Sequence, residues 1–480
     1  MTSLSHDLAV MMPELVMAGA GLLLLLVGVL QKNDRNMGTL SFLAILAMAG
    51  SAYCVMMLPV GSTAFGGAFT ADGFARFSKL LILLGAALTL VMSQGFFVRE
   101  KIARFEFPVL VIFSVVGMML MVSASSFLAL YMGLELQSLA LYVLAAFNRE
   151  SVKSSEAGLK YFVLGALSSG LLLYGISLIY GFTGTTDFVH VAAVIKQSGV
   201  PIGLIFGLVF LIAGLAFKVA AVPFHMWTPD VYEGSPTPIT AFFAMSPKIA
   251  AMALFLRAII VPFPDAIHQW QQIIVVTSVL SMLLGAFAAI GQTNIKRLMA
   301  YSSIGHMGYA LLGLAAGTTA GVQGVLIYLT IYLITNAGVF SVILAMKRNG
   351  QMVETIADLA GLARTQPRLA TAFVFFMISL SGIPPFAGFF AKFYVFLPAI
   401  QAGLYVPAVI GVLSSVVGAY YYWRIFKVMY FDDPAPAFDG DLGVSLGSII
   451  AASTAFTLFF IVAGAPLIAV AETAAKSLVP

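Results

Sequence analysis

FKVAAVPFHMWTPDVYEGSPTPITAFFAMSPKIA, residues 217–250, carries Lys218, His225 and Lys248 between apolar runs, and Pro223 interrupts the first of those runs. Proline removes a backbone donor and clashes with the preceding turn, so a helix entering this stretch breaks near residue 223. Ammonium groups beside a broken helix are unusual anywhere, and the rest of the chain makes them more so. Its 480 residues are 61% hydrophobic and 9% charged, against about a quarter charged in soluble domains.

Working outward, apolar stretches of about 20 residues follow one another, the length an α-helix needs to cross a hydrocarbon core. Fourteen are read: 8–30, 38–58, 74–98, 107–122, 125–147, 158–181, 201–222, 237–261, 270–291, 298–316, 323–346, 369–398, 404–427 and 443–470. Lipid does not tolerate unpaired backbone groups, and the alternation of a porin strand is absent, so the spans read as helices. The expected fold class is an all-α integral membrane protein with about fourteen transmembrane helices. The start MTSLSHDLAVMMPELVMAGAGLLLLL has no basic n-region and carries Asp7 and Glu14, so it reads as a retained first span.

Basic loop residues favour the cytoplasm. Loops after odd-numbered spans hold fifteen: Lys32, Arg35, Arg99, Lys101, Arg104, Arg149, Lys153, Lys296, Arg297, Lys347, Arg348, Arg364, Arg368, Arg424 and Lys427. The other side holds Lys196 and Lys476, or four with Arg76 and Lys79. Both termini are therefore expected on the non-cytoplasmic side of a bacterial inner membrane, and the net charge of +4 reports this bias. The longest loop, KRNGQMVETIADLAGLARTQPR (347–368), has room for one short amphipathic helix.

A second interrupted span contains SLSGIPPFAGFFAKF, where Pro384 and Pro385 break the helix. Grouping spans 4 to 8 and 9 to 13 makes the broken helix fourth in each group, and each broken helix carries a lysine, Lys218 or Lys392. Five spans is an odd number, so the second group enters from the opposite face. This is the inverted-repeat plan of transporters, whose broken helices leave free backbone groups for ions. The expected divisions are residues 1–106 for the first three helices, 107–261 and 270–427 for the repeats, and 428–480 for a loop and helix 14.

Ionisable residues inside spans are costly and point to function. Glu135, in LYMGLELQSLALY, sits at the centre of span 5, and Lys248 at the centre of span 8. With Lys218, Lys392, His225 and His306 they form the candidate chain. Burial disfavours an ammonium and a carboxylate nearby favours it, so such lysines become switchable proton carriers. Glu135 and Lys218 also fit a buried ion pair that only fixes packing, but that leaves the other lysines and the histidines unexplained. His225 reads either as a relay or as a hydrogen-bonded histidine at the break, and His306 either as a relay or as a core histidine. Lys160, at the start of span 6, either belongs to the chain or snorkels to the interface, where Glu156 pairs with it across one turn. Arg257, near the far end of span 8, reads as a snorkelling or a structural charge, because a guanidinium does not release its proton.

One cysteine, Cys54, rules out a cysteine-ligated cluster within the chain, and no nucleotide-binding glycine motif occurs. No metal or cofactor site is expected here. Nor does anything point to nucleic acid; the expected partners are lipids, protons and other subunits.

VPFHMWTPDVYEGSPTPITAFFAMSPKIA, YSSIGHMGYALLGL and SLSGIPPFAGFFAKFYVF together resemble the antiporter-like membrane subunits of respiratory complex I, a family related to multi-subunit sodium/proton antiporters. Within it the chain is most similar to the subunit N branch: it ends after fourteen spans without a long lateral helix, and it has Lys392 where subunit M carries glutamate. The resemblance implies a proton channel in which Glu135 is the span 5 carboxylate, Lys218 its partner, Lys248 the central relay and Lys392 the exit-side residue. His225 and His306 would be secondary relays. It also implies that NADH, FMN, iron–sulfur clusters and quinone belong to partner subunits of a proton-translocating NADH:quinone oxidoreductase. The competing readings are a stand-alone cation/proton antiporter subunit and a haem-binding membrane subunit. The latter needs paired histidines on facing helices, and only His225 and His306 lie deep.

Overall fold

The structure, a computed structural model, describes residues 4–31, 37–440 and 442–479. Lys32, Arg35 and Pro480 lie outside the described residues. Helix α1 (Leu4–Val10) leads into α2 (Met12–Gln31), α3 (Met37–Met57) and α4 (Gly73–Arg99). The next group comprises α5 (Glu106–Val122), α6 (Phe127–Ala145), α7 (Val152–Thr183), the surface helix α8 (Phe188–Ser198), the broken pair α9 (Ile202–Val219) and α10 (Trp227–Gly234), and the pair α11 (Thr237–Ala244) and α12 (Ser246–Ile260). A second group follows with α13 (Ile267–Ile290), α14 (Ile295–Ala315), α15 (Thr319–Ala345), the single turn α16 (Leu362–Thr365), the broken pair α17 (Pro367–Ser381) and α18 (Ala387–Gln401), and α19 (Tyr405–Phe431). Helices α20 (Gly443–Ala463) and α21 (Ala465–Leu478) come last.

Among the described residues, eleven helical segments are long and apolar enough to cross a membrane. Helices α5, α14 and the pair α17 and α18 occupy the other three expected spans, so the architecture is consistent with fourteen crossings. Polar caps start several of them: the side chains of Asp72, Ser126, Ser151, Asn294 and Thr318 accept the first free amides of α4, α6, α7, α14 and α15, satisfying donors that lipid would leave unpaired.

Contacts between loops define two faces. On one, Lys153 reaches Glu233, Arg297 reaches Asp230, the Ile295 amide donates to the Glu354 carbonyl, and the Gly361 amide to the Val428 carbonyl. On the other, Phe69 bridges Ala124, Ser126 bridges Asp187, the Phe65 amide donates to Asp7, and the Phe74 amide donates to Ser477. Residues near both ends of the described chain thus share the second face, away from the basic loops, as an even number of crossings requires.

The two groups pack alike. Helix α5 lies on α6 as α13 lies on α14; α7 lies on α9 and α10 as α15 lies on α17 and α18; α12 closes on α5 as α19 closes on α13. Both breaks also share a backbone plan. Ala220 (φ 61°) and Gly382 (φ 83°) end the first half-helix in the left-handed conformation, a common helix stop. Pro223 and Pro385 each follow three residues later, and both X–Pro bonds are cis.

Two expectations need correction. The 347–368 loop holds a hairpin of β3 (Lys347–Arg348) and β4 (Gln351–Met352), a 3₁₀ turn and α16 in place of one amphipathic helix, because Gly350 and Gly361 take positive φ values that turn the chain twice. A further hairpin, β1 (Ser62–Ala64) with β2 (Phe69–Ala71), covers the opposite face. Span 8 is also interrupted: Met245 (φ −107°, ψ −95°) separates α11 from α12, and Lys248 falls in the first turn of α12.

Candidate functional site: a buried row of lysines

Lys218 projects from the last turn of α9 toward α6 and α7. Its ammonium donates to Ser138 Oγ (2.9 Å), Ser169 Oγ (3.3 Å) and Tyr142 OH (3.5 Å). Ser169 in turn donates to Glu135 Oε1 at 2.5 Å. Glu135 and Lys218 form no direct ion pair among the described residues; the Ser169 hydroxyl links them. The sequence suggested the pair and missed its mediator, because a serine on an apolar helix carries no distinctive spacing. Glu135 is partly buried and faces α7, whereas Lys218 is buried.

Lys248 is 1% exposed. Its Nζ donates to the Val219 carbonyl at 2.9 Å and lies 5.3 Å from the centre of the Trp227 ring. Val219 is the last residue of α9, so this carbonyl lost its helical partner at the break. Trp227 Nε1 donates to the Phe217 carbonyl at 3.0 Å, which also accepts from the Ala220 amide at 3.0 Å. At the second break Lys392 does the same: Nζ donates to the carbonyl of Ser381, the last residue of α17, at 2.8 Å, and to Ser415 Oγ at 2.6 Å. Each broken helix therefore offers its freed terminal carbonyl to one buried lysine, and no carboxylate pairs with Lys248 or Lys392 among the described residues. Aligned on Ala220 and Gly382, Lys392 stands where the first group has Asp230, ten residues after the stop in each case. Lys218 and Lys392 thus occupy opposite halves of their broken helices.

His306 is buried in α14, with Nδ1 2.5 Å from Tyr328 OH and Nε2 3.1 Å from Tyr422 OH. Tyr422 OH lies 2.6 Å from Ser302 Oγ. His306, Lys392, Tyr309, Ser302, Ser415 and Tyr422 line one small cavity, with room for about one water molecule. His306 and Lys392 are therefore brought together; His225 is not hydrogen-bonded to Lys218 or Lys248 and lies half-buried in the turn between α9 and α10.

Lys160 stands outside the buried row. It contacts Glu156 Oε1 (2.6 Å) and Asp230 Oδ2 (2.7 Å), while Arg297 holds Asp230 Oδ1 (2.7 Å) and Glu233 Oε2 (3.2 Å). This network ties the short α10 to α7 and α14 at the basic face. Lys296, counted from sequence as a loop residue, is buried: it pairs with Glu354 at 2.7 Å and donates to the Ser235 carbonyl at 3.0 Å. On the opposite face Arg257 is buried and pairs with Asp72 at 2.7 Å, which fits the structural alternative and not the snorkelling one. Glu14 and Lys79 form a further buried pair at 2.7 Å between α2 and α4, invisible in sequence because the two lie in different spans. No cluster of metal-ligating side chains occurs among the described residues.

The membrane family described as NADH:quinone oxidoreductase/Mrp antiporter matches residues 124–418, spanning both broken helices and all four of Glu135, Lys218, Lys248 and Lys392. The chain belongs to this family. Its relatives include the NADH-quinone oxidoreductase subunit N of Parvibaculum lavamentivorans, 58% identical over 98% of this chain and 97% of that protein. That of Rhodospirillum rubrum is 56% identical over 100% of this chain and 99% of its own length. A chain of respiratory complex I from Thermus thermophilus superposes with TM-score 0.82 at 32% identity, covering 96% of this chain and 99% of its own. A chain of the Mrp complex from a Dietzia species has TM-score 0.83 at 22% identity, with 99% and 98% covered, and so shares the fold. The family membership agrees with the resemblance read from the motifs.

Proposed function

We propose that this chain is the subunit N component of a bacterial NADH-quinone oxidoreductase and carries protons across the membrane without doing redox chemistry itself. Identity of 54–58% over nearly the whole length of subunit N relatives supports membership of that complex, whereas the similarity to the Mrp chain is one of fold. NADH, flavin, iron–sulfur clusters and quinone fall to partner subunits, whose redox reaction supplies the energy. The basic face is cytoplasmic and both termini lie on the other side. Residues 107–261 and 270–427 act as two inverted half-channels, with residues 1–106 and 428–480 bracing them.

The observation that carries this reading is that Lys218, Lys248 and Lys392 are each buried and held by carbonyl or hydroxyl oxygens. A carbonyl accepts a hydrogen bond from an ammonium and takes no proton from it, so the lysine can lose its proton to a neighbour without leaving a stranded anion. Protons enter at Lys218, with Glu135 and Ser169 setting the charge beside it, pass to Lys248, and leave by way of His306 and Lys392. Two ammonium groups in one low-dielectric row repel, so a proton arriving at one end drives another onward. His225 and Lys160 serve at the margin, His225 at the break and Lys160 in the cytoplasmic network. Lys218→Met in inverted membrane vesicles tests this: NADH-driven proton uptake falls while the complex still assembles. Assembly with undiminished uptake would remove Lys218 from the path.

A further inference from the structure

A cavity of about 190 Å³ lies at the basic face, where α4, α15 and α20 pack together. One side of it is apolar and buried, formed by Met92, Phe96, Leu344 and Leu446. The other side is polar and reaches the surface: Arg99, in the last turn of α4, and Lys347, two residues after α15, are partly exposed, and Gly443 and Ser445 at the start of α20 are exposed. No carboxylate lines the cavity among the described residues. Next to it in sequence, Val98 and Val444 present exposed apolar surface.

Arg99 carries a donor that the chain leaves unmet. Its Nε is buried with no hydrogen-bond partner among the described residues, and Glu100 Oε1, 3.9 Å away, is too far to accept from it. A buried donor without an acceptor costs more than an ordinary hydrogen bond contributes, which calls for an acceptor from outside the chain. Ser445 adds a hydroxyl to the lining, and α20 starts at this cavity without a side-chain cap, an arrangement that favours an anion. There is also room beside these donors: a Cβ on Gly95 or on Gly443 would meet nothing within 4 Å.

We propose that this cavity binds the phosphate headgroup of an anionic phospholipid, whose acyl chains lie on the exposed apolar surface beside Val98 and Val444. Phosphate oxygens accept from Arg99, Lys347 and Ser445, and a guanidinium suits them because it presents parallel N–H groups. A zwitterionic headgroup would bring an ammonium group to a cavity with two cations and no carboxylate in its lining, so an anionic one fits better. Free phosphate offers the same oxygens but leaves the apolar surface uncovered, whereas a lipid covers both. Basic pockets between membrane helices on the cytoplasmic side take anionic headgroups for these reasons. The bound lipid ties the start of α20 to the ends of α4 and α15. Its binding is independent of the proton path.

The test uses the purified, assembled complex in phosphatidylcholine liposomes containing a trace of phosphatidylglycerol that bears a diazirine close to its glycerol. After illumination, labelled peptides of this chain are identified by mass. The expected result is labelling within residues 92–99 and 442–446, several-fold above that given by a phosphatidylcholine probe with the same diazirine. Arg99→Gln with Lys347→Gln lowers this labelling about thirtyfold, the effect of removing two basic residues at a membrane surface. Ser445→Trp, at an exposed position, fills the cavity while keeping both charges and also abolishes the labelling; with the two-probe comparison it decides the matter if the double variant fails to assemble. Excess inorganic phosphate, against chloride at matched ionic strength, leaves the labelling in place. Equal labelling by both probes, unchanged labelling in the variants, or no label in these segments because a partner subunit covers them overturns the proposal. Labelling displaced by inorganic phosphate makes this a site for the free ion and overturns the lipid.

Discussion

Replacing Ser169 by alanine deletes the one hydroxyl that joins Glu135 to Lys218. Ser169 Oγ donates to Glu135 Oε1 at 2.5 Å and accepts from Lys218 Nζ at 3.3 Å. A hydrogen bond to a charged group contributes about 1.5–3 kcal/mol, and the longer contact is weak, so one full bond is a fair measure of the loss. Alanine is the better helix former, and Lys218 keeps Ser138 at 2.9 Å, so α7 and the complex remain intact. If proton transfer through this cluster limits transport, the loss slows it by about 10- to 150-fold. The assay is NADH-driven proton uptake in inverted vesicles with NADH oxidation followed in the same sample. Ser169→Thr, which keeps a hydroxyl, retains most of the uptake. If Glu135 acts on Lys218 through Ser169, adding Glu135→Gln to Ser169→Ala costs little more than either change alone, a non-additivity expected of residues in one network. Undiminished uptake by Ser169→Ala, or fully additive losses in the double variant, refutes the serine link.

Lys79→Met leaves the Glu14 carboxylate buried without its cation and lowers the stability of the complex by about 3–5 kcal/mol, whereas Lys79→Met with Glu14→Leu recovers most of it; thermal unfolding of the purified complex checks this, and equal stability of the single variant contradicts it. A reporter fused after Pro480 that is active only outside the cytoplasm gives signal, and a reporter active only in the cytoplasm stays silent; the reverse pattern overturns the orientation. Lys248→Arg keeps the charge and does not release its proton at working pH, so it assembles normally but transports poorly; normal transport would assign the position a fixed field only.

Much of this was legible in the sequence because the membrane imposes simple rules. Span length and basic loops gave the helix order, and prolines 223 and 385 marked both breaks. The lysines were conspicuous because ammonium groups are rare in such segments. What escaped was set by neighbours in space. Val219 and Ser381 bind lysines through main-chain carbonyls, which no residue type advertises. Ser169 and Ser415 are ordinary helical serines until the fold puts an ammonium beside them. The Met245 break had a signal in Pro247, which lies inside the continuous span read over 237–261 and, by the rule applied to Pro223, marks a helix boundary just before it. Lys296 sits at a helix start and looks like a loop residue, yet Glu354 and the Ser235 carbonyl draw it inside.

The central claim is that Lys248 passes protons between the two halves of the chain. It is 1% exposed, its Nζ is held by the Val219 carbonyl at 2.9 Å, and it has no carboxylate partner among the described residues. The most direct measurement is the number of protons moved per NADH oxidised by the purified complex in sealed liposomes, with and without Lys248→Met. Methionine keeps the bulk and cannot carry a proton, so the account predicts an assembled complex with much reduced proton transport, and slower NADH oxidation where the two are tightly coupled. An assembled Lys248→Met complex that moves protons at the unaltered ratio and rate would contradict it.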